Sequence, residues 1–318
     1  MTRRWITLLV SARNREAEGV LSFELVDPDG KQLPPFSAGS HIDVETAPGL
    51  VRQYSLCNPP HERRRYQIGV LREPASRGGS ASLHDRVQPG DCIRVSEPHN
   101  HFALAPDAKR SLLLAGGIGV TPILCMAERL KHIDAPFEFH YATRSRNRAA
   151  FIDRAKACNG HIYFDDEPQI NRLDLEQLLT LPDPDTHVYV CGPSGFIGAV
   201  LTTTARLGWP DVQVHREFFA AAEEIEKAPS DVFEIQIAST GKVLMVPPDA
   251  SVTDILVSHG IDIPVSCQQG VCGTCITRLL DGVPDHRDTF MTAAEHARND
   301  RFTPCCSRAI TSSLVLDL

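Results

Sequence analysis

The chain has no long apolar run, no dense basic tract and no second cysteine pair at C-x2-C spacing. Each absence removes a class of function. One uncharged stretch, Ser111 to Ala127, holds Gly116, Gly117, Gly119 and Pro122, and it falls short of the roughly 20 apolar residues that a membrane span needs. Met1-Thr-Arg-Arg-Trp5 leads into an apolar run too short for a signal-peptide core, so cytoplasmic residence is the expectation and no membrane is expected as a partner. With 32 basic residues against 40 acidic and a formal charge of −8, nucleic acid is not an expected partner either. There is no H-E-x-x-H, no residue set that demands a catalytic triad or a general base, no internal repeat and no low-complexity tract. His84, His187 and His215 are accordingly read as structural.

What is present is an ordinary globular composition, 42% apolar and 23% charged over 318 residues. That length is enough for two or three domains with full cores. Four of the ten cysteines fall in one pattern, Cys267-Gln-Gln-Gly-Val-Cys272-Gly-Thr-Cys275 and then Cys305. C-x4-C-x2-C…C is the plant-type [2Fe–2S] spacing. Gly270 and Gly273 allow the loop to wrap tightly and turn its N–H groups inward. A structural zinc site usually repeats a C-x2-C pair, and a disulfide framework suits a short secreted chain. Neither description matches, so the cluster is the reading. Cys305 is taken as the fourth ligand, with the adjacent Cys306 as the alternative.

Residues 1–106 read as short strands broken by turns, among them Val20–Val26, His41–Glu45, Arg52–Leu56, Tyr66–Leu71 and Cys92–Ser96. That density with Gly/Pro punctuation predicts an antiparallel barrel. Inside it, Arg52-x-Tyr54-Ser55 sets a cation, a ring and a hydroxyl on one strand. The turn Arg77-Gly-Gly-Ser80 offers N–H groups beside a cation, which suits a phosphate.

Residues 107–222 change character. Ser111-Leu-Leu-Leu-Ala115 is the continuous apolar run of a buried parallel strand. It enters Gly116-Gly-Ile-Gly119-Val-Thr-Pro122 and then a helical pattern, a strand–turn–helix unit suited to a pyrophosphate, although G-x-G-x-x-G itself is absent. Strands ending at Thr143-Arg144 and at Cys191-Gly-Pro193 likewise open into loops at their carboxyl ends. Residues 223–230 are the predicted linker. In 231–318, strands at Val232–Ile237 and Val243–Val246 and a helix over Ser251–Gly260 precede the cysteine loop, and acidic residues outnumber basic ones.

Taken in order, Arg52-Gln-Tyr-Ser-Leu56, Arg77-Gly-Gly-Ser80, Ala115-Gly-Gly-Ile-Gly-Val-Thr-Pro122, Tyr189-Val-Cys-Gly-Pro193, His215-Arg-Glu-Phe-Phe219, the cysteine loop, Asp285-His-Arg-Asp288, Cys305-Cys-Ser-Arg-Ala309 and Leu314-Val-Leu-Asp-Leu318 resemble the phthalate dioxygenase reductase family along the whole chain. The resemblance implies a multidomain fold: an antiparallel β-barrel flavin domain, an α/β parallel-sheet NAD domain and an α+β, β-grasp-like [2Fe–2S] ferredoxin domain. It implies FMN at Arg52, Tyr54 and Ser55, with Gly69, Val70 and Leu71 along its edge and Arg77, Gly78, Gly79 and Ser80 at its phosphate. NADH would meet Gly117, Thr121, Pro122, Arg144, Cys191, Gly192 and Pro193, and Phe219 would lie beside the flavin ring. Cys191 is implied as a positioning residue, not a covalent nucleophile. Two positions depart from the family pattern: Arg216, where an aromatic is common, and Cys306, apolar in some relatives.

Electron counting joins the three parts. NADH gives up two electrons at once, a [2Fe–2S] cluster takes one, and a flavin can receive the pair and release it singly. The implied partner is a Rieske-type terminal oxygenase. A reductase for another acceptor, such as a quinone, and an iron–sulfur electron carrier without turnover are the alternatives at this point.

Overall fold

The computed structural model describes residues 4–47, 50–73, 78–168, 172–219, 232–265 and 267–318. These form two compact units, one running to Glu217 and the other from Phe218 to Leu318. The predicted linker 223–230, Arg77 and Ser266 lie outside the described residues.

The first unit begins with an antiparallel barrel. Its strands are β1 (Trp5–Ala17), β2 (Val20–Val26), β3 (Ser40–Ala47), β4 (Leu50–Ser55), β5 (Tyr66–Leu71), β6 (Cys92–Ser96) and the short β7 (His99–Asn100). They pair in the order β4-β3-β6-β1-β2-β5, with β7 on β3, and a bridge between Leu56 and Ile68 brings the two ends together. Closure removes the exposed edges that open sheets must protect. Alternate side chains fill the interior: Val10, Phe23, Ile42, Val44, Leu56, Ile68, Val70 and Val95 are all fully buried. Each such side chain contributes about 1.5–3 kcal/mol of transfer free energy. One helix, α1 (Gly79–Arg86), lies within this strand series and buries Leu83 in the same core. The glycine pair in the sequence predicts a turn at its start. Gly78 at φ +94° is the reason, since that left-handed residue lets the chain turn directly into a helix without a side-chain cap.

The parallel sheet contains β8 (Arg110–Gly116), β9 (Phe137–Thr143), β10 (His161–Phe164), β11 (Thr186–Cys191) and β12 (Val214–Glu217), with helices α2 (Val120–His132), α3 (Ile152–Ala157), α4 (Leu175–Leu178) and α5 (Ser194–Leu207) between them. The order is β10-β9-β8-β11-β12 and every pairing is parallel. The central strands β8 and β11 are buried along nearly their whole length, as their apolar runs predict. Strand order reverses between β8 and β11, and the crevice beyond such a switch point is where open α/β sheets bind ligands.

The second unit is a mixed sheet of β13 (Phe233–Ile237), β14 (Val243–Val246), β15 (Thr277–Asp281), β17 (Arg301–Phe302) and β19 (Ser313–Leu316), in the order β14-β13-β19-β15-β17. Helix α6 (Val252–Ser258) covers it, α7 (Ala293–His296) is a single turn, and β16 (Pro284–Asp285) pairs with β18 (Arg308–Ala309). A reciprocal capping box starts α6, in which Ser251 Oγ accepts from Asp254 N at 3.1 Å and Asp254 Oδ2 accepts from Ser251 N at 3.1 Å. Gly260 at φ +76° follows its end. Among the described residues no helix is long and apolar enough to cross a membrane.

Candidate active site and cluster centre

In the first unit the ends of β4, β8, β11 and β12 converge. The turn after β8 passes so near the end of β11 that a Cβ on Gly119 would stand 2.3 Å from Cys191 O, and one on Gly192 would stand 2.9 Å from Gly116 Cα. Only glycine permits this approach. It places Gly117 and the start of α2, with Thr121 and Pro122, beside Cys191-Gly192-Pro193. Thr121 donates from Oγ1 to Ile118 O at 3.0 Å and is buried.

Ser55, at the end of β4, donates from Oγ to Glu217 Oε2 at 3.2 Å. Glu217 ends β12 directly beside Cys191 in the parallel register. Burial pushes its carboxyl up to about 8, against the opposing effect of the Ser55 hydroxyl. Burial, and then the neighbouring Glu217, pushes the Cys191 thiol well above its ordinary value. A thiol held protonated is a poor nucleophile, which fits a positioning role. The sequence alone assigns Glu217 no role. A lone acid in the run His-Arg-Glu-Phe-Phe at a predicted strand end was the available signal.

Arg52 lies along the first turn of α1, where a Cβ on Gly79 would meet its Cγ at 2.6 Å. The arrangement combines a cation with the free N–H groups of a helix start, which suits a phosphate. Ser80 is half committed, since its Oγ accepts from Glu73 N at 3.2 Å. Tyr54 is held largely out of water on the barrel, and burial raises its hydroxyl well above the ordinary tyrosine value. The predicted flavin edge is more closed than expected. Val70 is in the barrel core and its carbonyl accepts from the His84 ring at 2.9 Å. Gly69 faces Thr121 and Phe151, and Leu71 packs partly against the core of the parallel sheet. Arg144 is exposed at the carboxyl end of β9. Phe219 lies past the end of β12, in the second unit, and is 40% exposed. The remaining histidines named above are packed: His187 and His215 share a 2.9 Å hydrogen bond, and the His215 ring stacks 4.6 Å from that of Tyr189.

In the second unit the loop between α6 and β15 carries Cys267, Cys272 and Cys275, and Cys305 follows β17. The Cys267 thiol lies against those of Cys272 and Cys305, and the Cys305 thiol also lies against that of Cys275. The four thiols thus form one contiguous set, the donor set that would hold a [2Fe–2S] cluster. Cys267 Sγ also accepts from Gln269 N at 3.4 Å. The adjacent Cys267 thiol first, and burial second, hold the Cys272 thiol far above its usual value. Thiols crowded in this way ionise together only around cations, so the donor set fits an iron–sulfur cluster. The backbone conforms to the same purpose: Gln268, Gly270 and Gly273 take φ of +56°, +73° and +68°. Cys306 is set apart. Its thiol touches Cys305 but also bonds Thr303 Oγ1 at 3.3 Å, and it sits where a Cβ on Gly270 would be, 2.5 Å away.

A second group of metal-ligand types, His286, Asp288 and His296, stands behind this loop. The two imidazoles are stacked, with centroids 4.2 Å apart and planes 17° apart, so their in-plane lone pairs do not converge on one ion. Asp288 instead anchors the loop, accepting from His296 Nε2 at 3.1 Å and from Met291 N at 2.8 Å while its Cα closes over Gly270.

Residues 235–309 match the 2Fe-2S iron-sulfur cluster binding domain. The whole chain is similar to a vanillate O-demethylase oxidoreductase of Pseudomonas sp. (strain HR199 / DSM 7063), 51% identical over 98% of this chain and 100% of the other. The chain belongs to the phthalate dioxygenase reductase family. The solved phthalate dioxygenase reductase, a modular structure for electron transfer from pyridine nucleotides to [2Fe–2S], superimposes with a TM-score of 0.75 at 35% identity, covering 99% of this chain and 98% of that one. An intact type IV self-sufficient cytochrome P450 monooxygenase gives a TM-score of 0.85 at 40% identity, and there the chain spans 41% of the other's length. Like this family's other reductases, the protein is an oxidoreductase that carries electrons from a pyridine nucleotide through a flavin to a [2Fe–2S] cluster.

Proposed function

We propose that this reductase is the NADH- and FMN-dependent component of a two-component O-demethylase, serving a Rieske-type oxygenase in the cytoplasm. The observation that carries the reading is the end-to-end likeness to vanillate O-demethylase oxidoreductase at 51% identity. In this reading residues 1–106 hold FMN, 107–222 hold NADH, 223–230 link them to 231–318, and 231–318 hold the cluster through Cys267, Cys272, Cys275 and Cys305.

A flavin bound in the barrel supplies the conversion from two-electron to one-electron transfer. The chain's own residues supply placement. Arg52 and the N-terminus of α1, with Gly78, Gly79 and Ser80, take the FMN phosphate, and Tyr54 covers apolar ring surface. Gly117, Thr121, Pro122 and Cys191 to Pro193 form the cleft for the nicotinamide half of NADH, and Arg144 offers a cation for the nucleotide. Asp165 and Asp166, exposed after β10, oppose a 2′-phosphate and so favour NADH over its phosphorylated counterpart. Glu217 keeps its proton near neutrality and accepts from Ser55, which leaves a neutral polar pair at the convergence of the strand ends. Nicotinamide must be held within about 3–3.5 Å of its acceptor, and an uncharged, water-poor crevice is suited to that.

The test has two stages. NADH added anaerobically to the purified protein should bleach first the flavin and then the red-brown cluster absorbance; two unreduced chromophores would end the enzyme reading. A vanillate-demethylating oxygenase added next, with vanillate and air, should consume NADH and dioxygen and release formaldehyde in step with them. Rapid quinone reduction without any oxygenase-coupled turnover would move the protein to another acceptor.

A further inference from the structure

The barrel and the parallel sheet meet at a seam that runs from the proposed site, where it includes Gly69 and Thr121, back to residues that touch neither cofactor. Strand β5 presents Gln67 and Gly69 on one face, as residues two apart must. A Cβ on Gly69 would stand 2.7 Å from Thr121 Cγ2 and 2.9 Å from Phe151 Cε2. The strand that borders the flavin therefore rests directly on the first turn of the nucleotide-binding helix and on one aromatic edge. Phe151 holds that edge from an unusual backbone. It is a buried residue at φ +55°, immediately before α3, a conformation costly for a bulky side chain unless the surroundings enforce it.

Arg154, one turn further along α3, packs over that ring. Its Nε and Nη2 donate to Glu128 Oε1 and Oε2 of α2, both at 2.8 Å. Its Nη1 donates to Gln67 Oε1 at 2.8 Å, and Nη2 also donates to Cys57 O. The guanidinium carbon lies 5.4 Å from the Phe151 ring centroid. One planar fork thus holds α2, α3, β5 and the chain after β4 together. A second tie runs parallel to it, from Cys125 Sγ of α2 to Asn58 O at 3.2 Å.

We propose that Arg154, with Phe151, is a positioning residue for hydride transfer: it fixes Gly69 of the barrel against Thr121 of the nucleotide helix and so sets the flavin–nicotinamide separation. The inference rests on the NADH-to-flavin reading above. It touches neither cofactor and acts through the seam. A misplacement of about 1 Å at such a gap costs on the order of 100-fold in rate.

The decisive variant is Arg154→Lys. A lysine can stay paired with Glu128, but its single ammonium cannot reach Gln67 and Cys57 O in the same geometry. The limiting rate of flavin reduction, per bound flavin at saturating NADH, should fall about 10- to 100-fold. The NADH dissociation constant should stay within about threefold, and the long-wavelength nicotinamide–flavin charge-transfer absorbance should weaken. Independently of turnover, amide exchange should quicken in β5 and at the start of α2 while β1 and β2 stay protected. If Arg154→Lys loses flavin, the paired Arg154→Met, Glu128→Met variant removes both charges and is read the same way. A folded, flavin-loaded variant with the parent's limiting rate and charge-transfer band would overturn the proposal. Failure of NADH to reduce the unmodified protein would instead overturn the underlying reading, while the exchange measurement would still report on the seam.

Discussion

Replacing Glu217 with glutamine should change how the first unit responds to pH in a way that few other substitutions can. The carboxyl is pushed up to about 8 by burial, from an ordinary value of 4.5. Across that interval the folded state keeps a proton that the unfolded chain has released. Stability therefore falls as pH rises from about 4.5 to about 8 and is flat above, at a slope approaching 1.36 kcal/mol per pH unit. The whole interval corresponds to about 5 kcal/mol at most, and relaxation around the charge reduces it to about 3 kcal/mol. The glutamine side chain keeps an oxygen to accept from Ser55 and cannot ionise. The variant should match the parent near pH 5 and exceed it by about 2–4 kcal/mol near pH 8. Urea unfolding followed by flavin release reads this directly. Histidines such as His215 and His101, whose folded forms resist protonation, push stability the opposite way at low pH, but they are common to both proteins and cancel in the difference. A stability gap that stays constant between about pH 5 and about pH 8 would refute the assignment of a buried, protonated Glu217.

Cys305→Ser should abolish the visible cluster absorbance and leave NADH-driven flavin reduction intact, whereas Cys306→Ser should change neither; absorbance spectra and anaerobic titration check both, and the reverse outcome would exchange the two roles. Gly273→Ala introduces a Cβ 2.4 Å from Phe290 at a backbone φ of +68°, which should cost about 1–3 kcal/mol locally and lower cluster occupancy, measured as iron per chain. His215 is held down to about 4, by burial first and His187 second. The unfolded chain takes up a proton that the folded one refuses as pH falls below about 6.5, so stability is lost in that range. His215→Phe, which keeps a ring on Tyr189, should recover about 1–2 kcal/mol near pH 4.5 after discounting for the ring's partial exposure.

What the sequence made legible was local. The apolar run at Ser111 to Ala115, the glycine turn after it, the helical stretch Ser251 to Gly260 and the spacing of Cys267, Cys272 and Cys275 each carry their signal within about a dozen residues, and the resemblance ordered them into one architecture. What it concealed depended on partners far along the chain. Glu217 meets Ser55 across 162 residues, and desolvation, which gives the carboxyl its character, is a property of the folded surroundings alone. Arg154 is one charged residue on a short helix until Glu128, Gln67 and Cys57 are brought to it. Helix α1 was hidden for a different reason, because Gly78-Gly79 reads as a turn unless the left-handed entry at Gly78 is known. The pair Cys305-Cys306 shows where the two kinds of information meet. Spacing alone admits either thiol as the fourth ligand, since they are adjacent. Folding separates them: the Cys305 thiol lies with Cys267 and Cys275, while the Cys306 thiol fills the space over Gly270 and bonds Thr303. A side chain larger than a thiol at 306 would press on the Gly270 turn, so that position is restricted by the shape of the cluster loop without being a ligand of the cluster.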